Sequence, residues 1–317
     1  MPLRPEVQAT ARRVMDNINQ VIVGKAQAIE LVLVALLCEG HVLIEDVPGI
    51  GKTMLAKSVA RSLGCTFRRI QFTPDLLPSD VTGIYYFNQK AQEFQFRPGP
   101  VMSQIVLADE INRATPRTQS AMLEAMQEQQ VTVDVETMPL PRPFMVLATQ
   151  NPIELEGTFP LPEAQIDRFL LKIELGYPSE EEENTILLRF EREDPLETLG
   201  AVTSPEELLA MQEAARYVTV EDSVRQYVVK VVRATREHGH VDLGVSPRGA
   251  LALYRTSQAL AAIRGRSFVI PDDVKALAPA VLTHRILISP QTRLRGRTPQ
   301  EVVAQIVDEV PVPVDEL

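Results

Sequence analysis

The stretch IEDVPGIGKTML, Ile44 to Leu55, constrains the fold more than any other part of the chain. Its Gly51-Lys52-Thr53 closes a phosphate-binding loop, which works only between a buried strand and a helix whose free N–H groups face an anion. Both flanks are present. HVLIE, His41 to Glu45, is a short apolar run of strand length, and TMLAKSVARSLG spaces Met54, Leu55, Val59 and Leu63 along one helical face before Gly64. The pattern G-x-x-x-x-G-K-[ST] wants glycine where Asp46 stands. Gly49 and Gly51, alternating with Pro48 and Ile50, still let the backbone curl around a phosphate. Aspartate tolerates positive φ better than most residues, so Asp46 reads as a tolerated variant with no direct phosphate role.

Strand and helix alternate from there. TFRRIQF, QIVLADE and FMVLATQNP are strand-like, and the last two are almost continuously apolar before a polar end, as in parallel strands buried on both faces. Ligands of such sheets gather at the carboxyl ends. Ahead of the loop, a first helix carries Val7, Ala11, Val14 and Ile18 on one face, and VIVGKAQA leads into a second ending near Cys38. After YPSEEEENT the pattern is helical only, and Ser204-Pro205, Ser246-Pro247 and Thr298-Pro299 each put an N-cap residue before proline. The change of character falls between Gly176 and Asp194, dividing the chain into 1–180 and 181–317.

The polar strand ends carry the chemistry. IVLADE brings Asp109 and Glu110 out beside the loop, where Asp109 suits the waters of a Mg²⁺ gripped by Thr53 and Glu110 suits an attacking water. LATQNP offers Asn151 at the next strand end, able to bond that water and a γ-phosphate. An Asp-Glu pair or an Asn-Pro is otherwise ordinary turn chemistry. The upstream phosphate loop favours the functional reading.

Composition narrows the partners. A net charge of −10 gives no sequence-wide field to hold nucleic acid. LVLVALLC, Leu31 to Cys38, lies between Glu30 and Glu39 and is too short to span a bilayer, and MPLRPEVQ lacks the apolar core of a signal peptide. Cys38 and Cys65 make no disulfide framework or metal spacing, so the expectation is a reduced, cytoplasmic protein. Four polar groups read as solvated surface: Glu180 to Glu183, the His238/His240 pair, His284-Arg285, and the cluster Arg293 to Arg297.

VIVGKAQAI, EDVPGIGKT, RIQFTPDLLPSDVTG, FRPGPV, LADEINRATPRTQSAMLEAMQE, LATQNPIELEGTFPLPEAQIDRF and GVSPRGALAL together resemble the MoxR family of AAA+ ATPases over nearly the whole chain. The resemblance implies an α/β fold: an AAA+ P-loop αβα nucleotide-binding domain with a C-terminal all-helical lid. It implies ATP or ADP with Mg²⁺, adenine against Ile22, Val23 and Gly24, and phosphates along Pro48 to Met54, with Lys52 on the β/γ-phosphates. Thr53 and Asp109 are then the metal residues, Glu110 the Walker B glutamate and Asn151 sensor 1. Arg168 corresponds to an arginine finger reaching into an adjacent subunit of a homo-oligomer, a hexameric ring, and Arg248 to sensor 2, facing the γ-phosphate from the lid. The implied output is ATP hydrolysis coupled to chaperone-like remodelling, maturation or cofactor insertion of client proteins, often ones with a von Willebrand factor A domain. Two other classes stay in view: a non-catalytic nucleotide-dependent switch, and a nucleic-acid-remodelling AAA+ motor. Tyr85 to Phe96 and Val131 to Arg142 alternate as inserted hairpins, which the resemblance directs to a ring pore or to partners and which the pattern alone reads equally well as solvent hairpins. The second lacks the aromatic residue that pore loops use on unfolded chains.

Overall fold

The computed structural model describes residues 4–134, 136–152 and 157–313. Its strands up to residue 173 are β1 (Val42–Glu45), β2 (Phe67–Gln71), β3 (Gly83–Asn88), β4 (Glu93–Pro98), β5 (Ile105–Asp109), β6 (Gln130–Val133), β7 (Glu136–Pro139), β8 (Met145–Gln150) and β9 (Leu171–Ile173). Five of them form one parallel sheet in the order β2-β5-β8-β1-β9. Every residue of β5 and β8 is buried, which is why both read as almost continuous apolar runs before a polar end. The register pairs Gln71 with Asp109 and Glu45 with Gln150, so the polar ends of β1, β2, β5 and β8 share one edge.

Because side chains alternate along a strand, the sheet feeds two cores. Ile105, Leu107, Met145 and Leu147 face the helices α1 (Arg4–Ile18), α2 (Ala26–Leu37) and α3 (Lys52–Ser62). Val106, Ala108, Val146 and Ala148 face Met122, Leu123 and Met126 of the helix Pro116–Glu128. Val7, Ala11, Val14 and Ile18 are all buried on α1 as expected. The first core continues without a break into the C-terminal helices, where Tyr227, Leu253, Leu277 and Val303 belong to the same cluster.

Those helices are Pro205–Arg216, Asp222–Glu237, Pro247–Ile263, Pro271–Leu282 and Pro299–Glu309, with α1 and α2 packed against the first and third. Ser204 and Thr298 cap their helices by accepting the N–H of Glu207 and Glu301. Ser246 stands at the N-cap of its helix without a side-chain bond. The lid is not entirely helical: β10 (Val241–Leu243) and β11 (Leu287–Ile288) make a small antiparallel ribbon. Both inserted hairpins are present, as β3–β4 and β6–β7, with Val135 of the second outside the described residues. They touch through Tyr85, whose hydroxyl donates to Glu136.

Candidate nucleotide-binding site

The loop between β1 and α3 takes its shape from two glycines. Gly49 (φ 86°) and Gly51 (φ 92°) are left-handed, and an added Cβ at either would meet nothing within 4 Å. Backbone conformation, and not crowding, therefore requires glycine there. Gly51 is the N-cap of α3 and provides no side-chain cap, so the helix opens with free N–H groups. Lys52 Nζ donates to the carbonyl of Asp46 at 2.7 Å across the loop. Burial lowers the Lys52 pKa from its ordinary value, and Asp109, Asp46 and Glu110 oppose that shift.

Asp46 is not a backbone-permissive substitute for glycine, because its φ is not positive. Its carboxylate instead accepts three backbone N–H groups: Val47 at 2.9 Å, Leu175 at 2.8 Å and Gly176 at 2.7 Å. It ties the start of the phosphate loop to the segment leaving β9. The missing glycine has been replaced by a clamp.

At the next strand ends the carboxylates are held in a network. Glu110 is left-handed (φ 55°, ψ 50°), an uncommon state for a non-glycine residue, and its N–H donates to Thr149 Oγ1 at 2.8 Å. Thr149 in turn donates to Asp109 Oδ1 at 2.6 Å. Arg69 donates to Asp109 Oδ2 from Nε at 2.9 Å and from Nη2 at 2.6 Å, while Gln71 donates to Glu110 Oε2 at 2.6 Å. Asn151 is buried just beyond β8. Thr149, Arg69 and Gln71 escaped the sequence reading; the only signal of Arg69 and Gln71 is the polar character of FRRIQ, which the sheet order places beside β5, and that of Thr149 is its place before Asn151 at the polar end of β8. The hydroxyl of Thr53 and the carboxylate of Asp109 are hard oxygen donors of the kind Mg²⁺ takes. Among the described residues no three His, Cys, Asp or Glu side chains cluster to form a protein cage.

An apolar cleft of about 360 Å³ adjoins the loop. Ile22, Val23, Pro48, Gly49, Ile50, Gly51 and Met54 line it. Its far wall is Leu175, Tyr177, Pro178, Ile186 and Phe190, none of which the sequence singled out. Gly24 is not part of it and lines a neighbouring cleft with Glu174 and Pro279. Glu183 also reaches the apolar cleft, from a helix start capped by Ser179.

Arg168 and Arg248 meet elsewhere. They line a separate cleft of about 300 Å³ together with Arg255, Arg285 and Asp167, and no residue of the phosphate loop borders it. Arg248 therefore stands beside Arg168, and not over the loop of its own chain as a sensor in the lid was expected to. Arg255 lies two helical turns beyond Arg248 on the same face of Pro247–Ile263. None of these three has an ion-pair partner among the described residues. His284 and Arg285 are not solvated: the Arg285 side chain is 3% exposed and paired with Asp167, and burial drives the His284 pKa well down, with Arg285 adding to the shift. His240 Nδ1 lies 3.1 Å from Thr292 Oγ1, and its ring sits 5.1 Å from that of His238.

A strand-loop-helix unit, carboxylates on the adjacent strand end and a helical lid are the architecture of the AAA class of ATPases. Residues 41–171 match the model of the ATPase family associated with various cellular activities (AAA), and residues 233–306 match an AAA lid domain. The chain is 51% identical over 314 residues to the uncharacterized protein YeaC of Bacillus subtilis, covering 99% of this chain and 98% of that one. It is 44% identical over 313 residues to Chaperone MoxR1 of Mycobacterium tuberculosis, covering 96% and 82%. A crystal structure from Cytophaga hutchinsonii superposes with a TM-score of 0.92 at 37% identity, covering 98% of this chain and 97% of that one. The chain belongs to the MoxR family of AAA+ ATPases.

Proposed function

We propose that the chain hydrolyses ATP at the carboxyl edge of its sheet and that hydrolysis is completed by a second copy of itself. The observation that carries this reading is the separation of two half-sites on one molecule: a phosphate loop with strand-end carboxylates, and a cleft with Arg168, Arg248 and Arg255 that no loop residue borders. In a head-to-tail ring each arginine cleft meets the next subunit's loop, and a hexamer is the assembly proposed here. Lys52 neutralises the β/γ-phosphates and the opening N–H groups of α3 receive them. Thr53 and Asp109 would hold Mg²⁺, which supplies charge neutralisation on the phosphates when bound. Glu110 orients and polarises the attacking water, Asn151 positions it, and Arg168 with Arg248 stabilises charge on the neighbour's γ-phosphate.

The load is protein. The name of the mycobacterial relative, Chaperone MoxR1, supports a chaperone-like role, and the family resemblance points to remodelling, maturation or cofactor insertion of a client, including one with a von Willebrand factor A domain. The net charge of −10 weighs against a nucleic-acid motor. Among the described residues no helix is long and apolar enough to cross a membrane. Glu110→Gln is expected to bind ATP yet lose nearly all turnover, since an amide keeps the shape and cannot polarise water as a carboxylate does. Near-normal turnover by this variant would remove Glu110 from the chemistry, whereas absence of steady turnover by the wild type would leave the nucleotide-switch reading in its place.

A further inference from the structure

We infer that Arg285 is a positioning residue: from the lid it fixes the backbone of Asp167 to Leu170, the segment that carries Arg168, and so sets where that guanidinium stands for the neighbouring subunit. The inference rests on the reading of Arg168 as a group acting on a neighbour.

Arg285 ends the short turn Thr283–Arg285 after the helix Pro271–Leu282, and only 3% of its side chain is exposed. Its Nε donates to Asp167 Oδ1 at 2.7 Å, its Nη2 to the carbonyls of Phe169 at 2.6 Å and Asp167 at 3.3 Å, and its Nη1 to the carbonyl of Leu170 at 3.1 Å and that of Val281. Four of these five bonds fall on the segment flanking Arg168. The adjacent His284 donates from Nε2 to the carbonyl of Phe169 at 3.1 Å. A buried guanidinium is unfavourable unless every donor is used, and here the planar fork meets a carboxylate and four carbonyls. A lysine would keep the charge but could not match that set of directions.

The same stem supports the second arginine. A Cβ at Gly249 would come within 3.0 Å of Arg285 Cδ and 2.3 Å of Val245 Cγ1, so the helix bearing Arg248 can start at this distance only with glycine there. The charge of Arg248 is close enough to contribute to lowering the Arg285 pKa. One buried side chain thus touches both segments that present guanidinium groups to the cleft. A bulky apolar residue would fill the volume equally well and would leave those carbonyls unsatisfied.

The test is a complementation experiment with the full-length chain. Arg285→Lys and Asp167→Asn, attacking the pair from both sides, should bind labelled ATP at wild-type affinity and turn over about 10²-fold more slowly, the scale expected when a reacting group is misplaced by about 1 Å. Mixed with Lys52→Ala under subunit exchange, each should regain activity, because the variant supplies a loaded pocket and its partner supplies a placed finger. Mixed with Arg168→Ala, neither should recover, since both chains then lack a usable finger. Arg168→Ala with Lys52→Ala is the control for the underlying reading: if that mixture forms rings and stays inactive, action on a neighbour is wrong whatever Arg285 does. Recovery with Arg168→Ala but not with Lys52→Ala would place the defect in the variant's own pocket and overturn the inference. So would turnover within about twofold of wild type, or loss of a cooperative melt in both variants, which would make the pair a folding device. Should only Arg285→Lys fail to fold, Asp167→Asn, whose side chain is 25% exposed, carries the test.

Discussion

At Lys52 burial and charge pull in opposite directions: the ammonium is partly stripped of water, and three carboxylates favour its protonated form. In the proposed function the group meets a phosphate, and Lys52→Ala is then expected to abolish tight ATP binding; a labelled-nucleotide titration with unchanged affinity would mean the loop is misread. Six residues upstream the chemistry is mechanical. Asp46→Ala would leave the N–H groups of Leu175 and Gly176 without their acceptor, a loss of roughly 1–3 kcal/mol for each one left buried and unpaired. Leu175 also lines the apolar cleft, so this variant should show both a lower denaturation midpoint and weaker nucleotide binding. Asp46→Asn, which keeps a carbonyl oxygen, should restore much of the midpoint. If Asp46→Gly and Asp46→Asn behave like wild type in both assays, the clamp contributes nothing and the residue is the tolerated variant that the sequence suggested.

Among the elements, the β3–β4 hairpin separates neck from tip. At the neck two glycines cross: a Cβ on Gly99 would come 2.3 Å from the carbonyl of Val81 and 2.5 Å from the amide of Gly83, both backbone atoms that cannot rotate away. At the tip Phe87 and Phe94 meet edge to face with centroids 5.3 Å apart, and Phe94 is 71% exposed. Gly99→Ala is expected to destabilise the protein by more than about 1 kcal/mol and Phe94→Ser by less than that, both read from denaturation midpoints. Equal midpoints for the two would contradict this division. Elements of this kind were legible in the sequence, because period-2 alternation and continuous apolar runs are local signals. β5, β8 and both hairpins announced themselves, and so did the loop between β1 and α3. The three- and two-residue strands β10 and β11 are too short to carry a period. Arg285 was misread for a different reason: an arginine among polar neighbours is normally solvated, and its partner Asp167 lies 118 residues away in sequence. The place of Arg248 likewise depends on where the lid packs, which no residue pattern within the lid records.

Over the whole molecule, two buried histidines link layers that must stay together. His41, at the head of β1, accepts the N–H of Val146 on β8 through Nδ1 and donates from Nε2 to the carbonyl of Met126, both at 3.0 Å. One tautomer of the neutral ring satisfies both bonds, and a second proton would face an N–H donor. His284 joins the lid to Phe169 through Nε2 alone, its Nδ1 being buried with no partner among the described residues. Burial drives the His41 pKa down to about 4, and that of His284 shifts in the same direction. A folded value below the unfolded one, about 6.5, means that the neutral ring favours the fold. Its contribution is complete above pH 6.5 and is lost as the pH falls through that value towards 4. From pH 7 to pH 4.5 the loss from His41 alone amounts to about 2–3 kcal/mol. Chemical denaturation of the wild type across that interval should therefore show a steeper fall than the same series on His41→Gln, whose amide can accept and donate but does not titrate. Carboxylates contribute equally to both profiles, so the difference between them isolates the ring. Parallel profiles would show that His41 is not held neutral between the sheet and its covering helix.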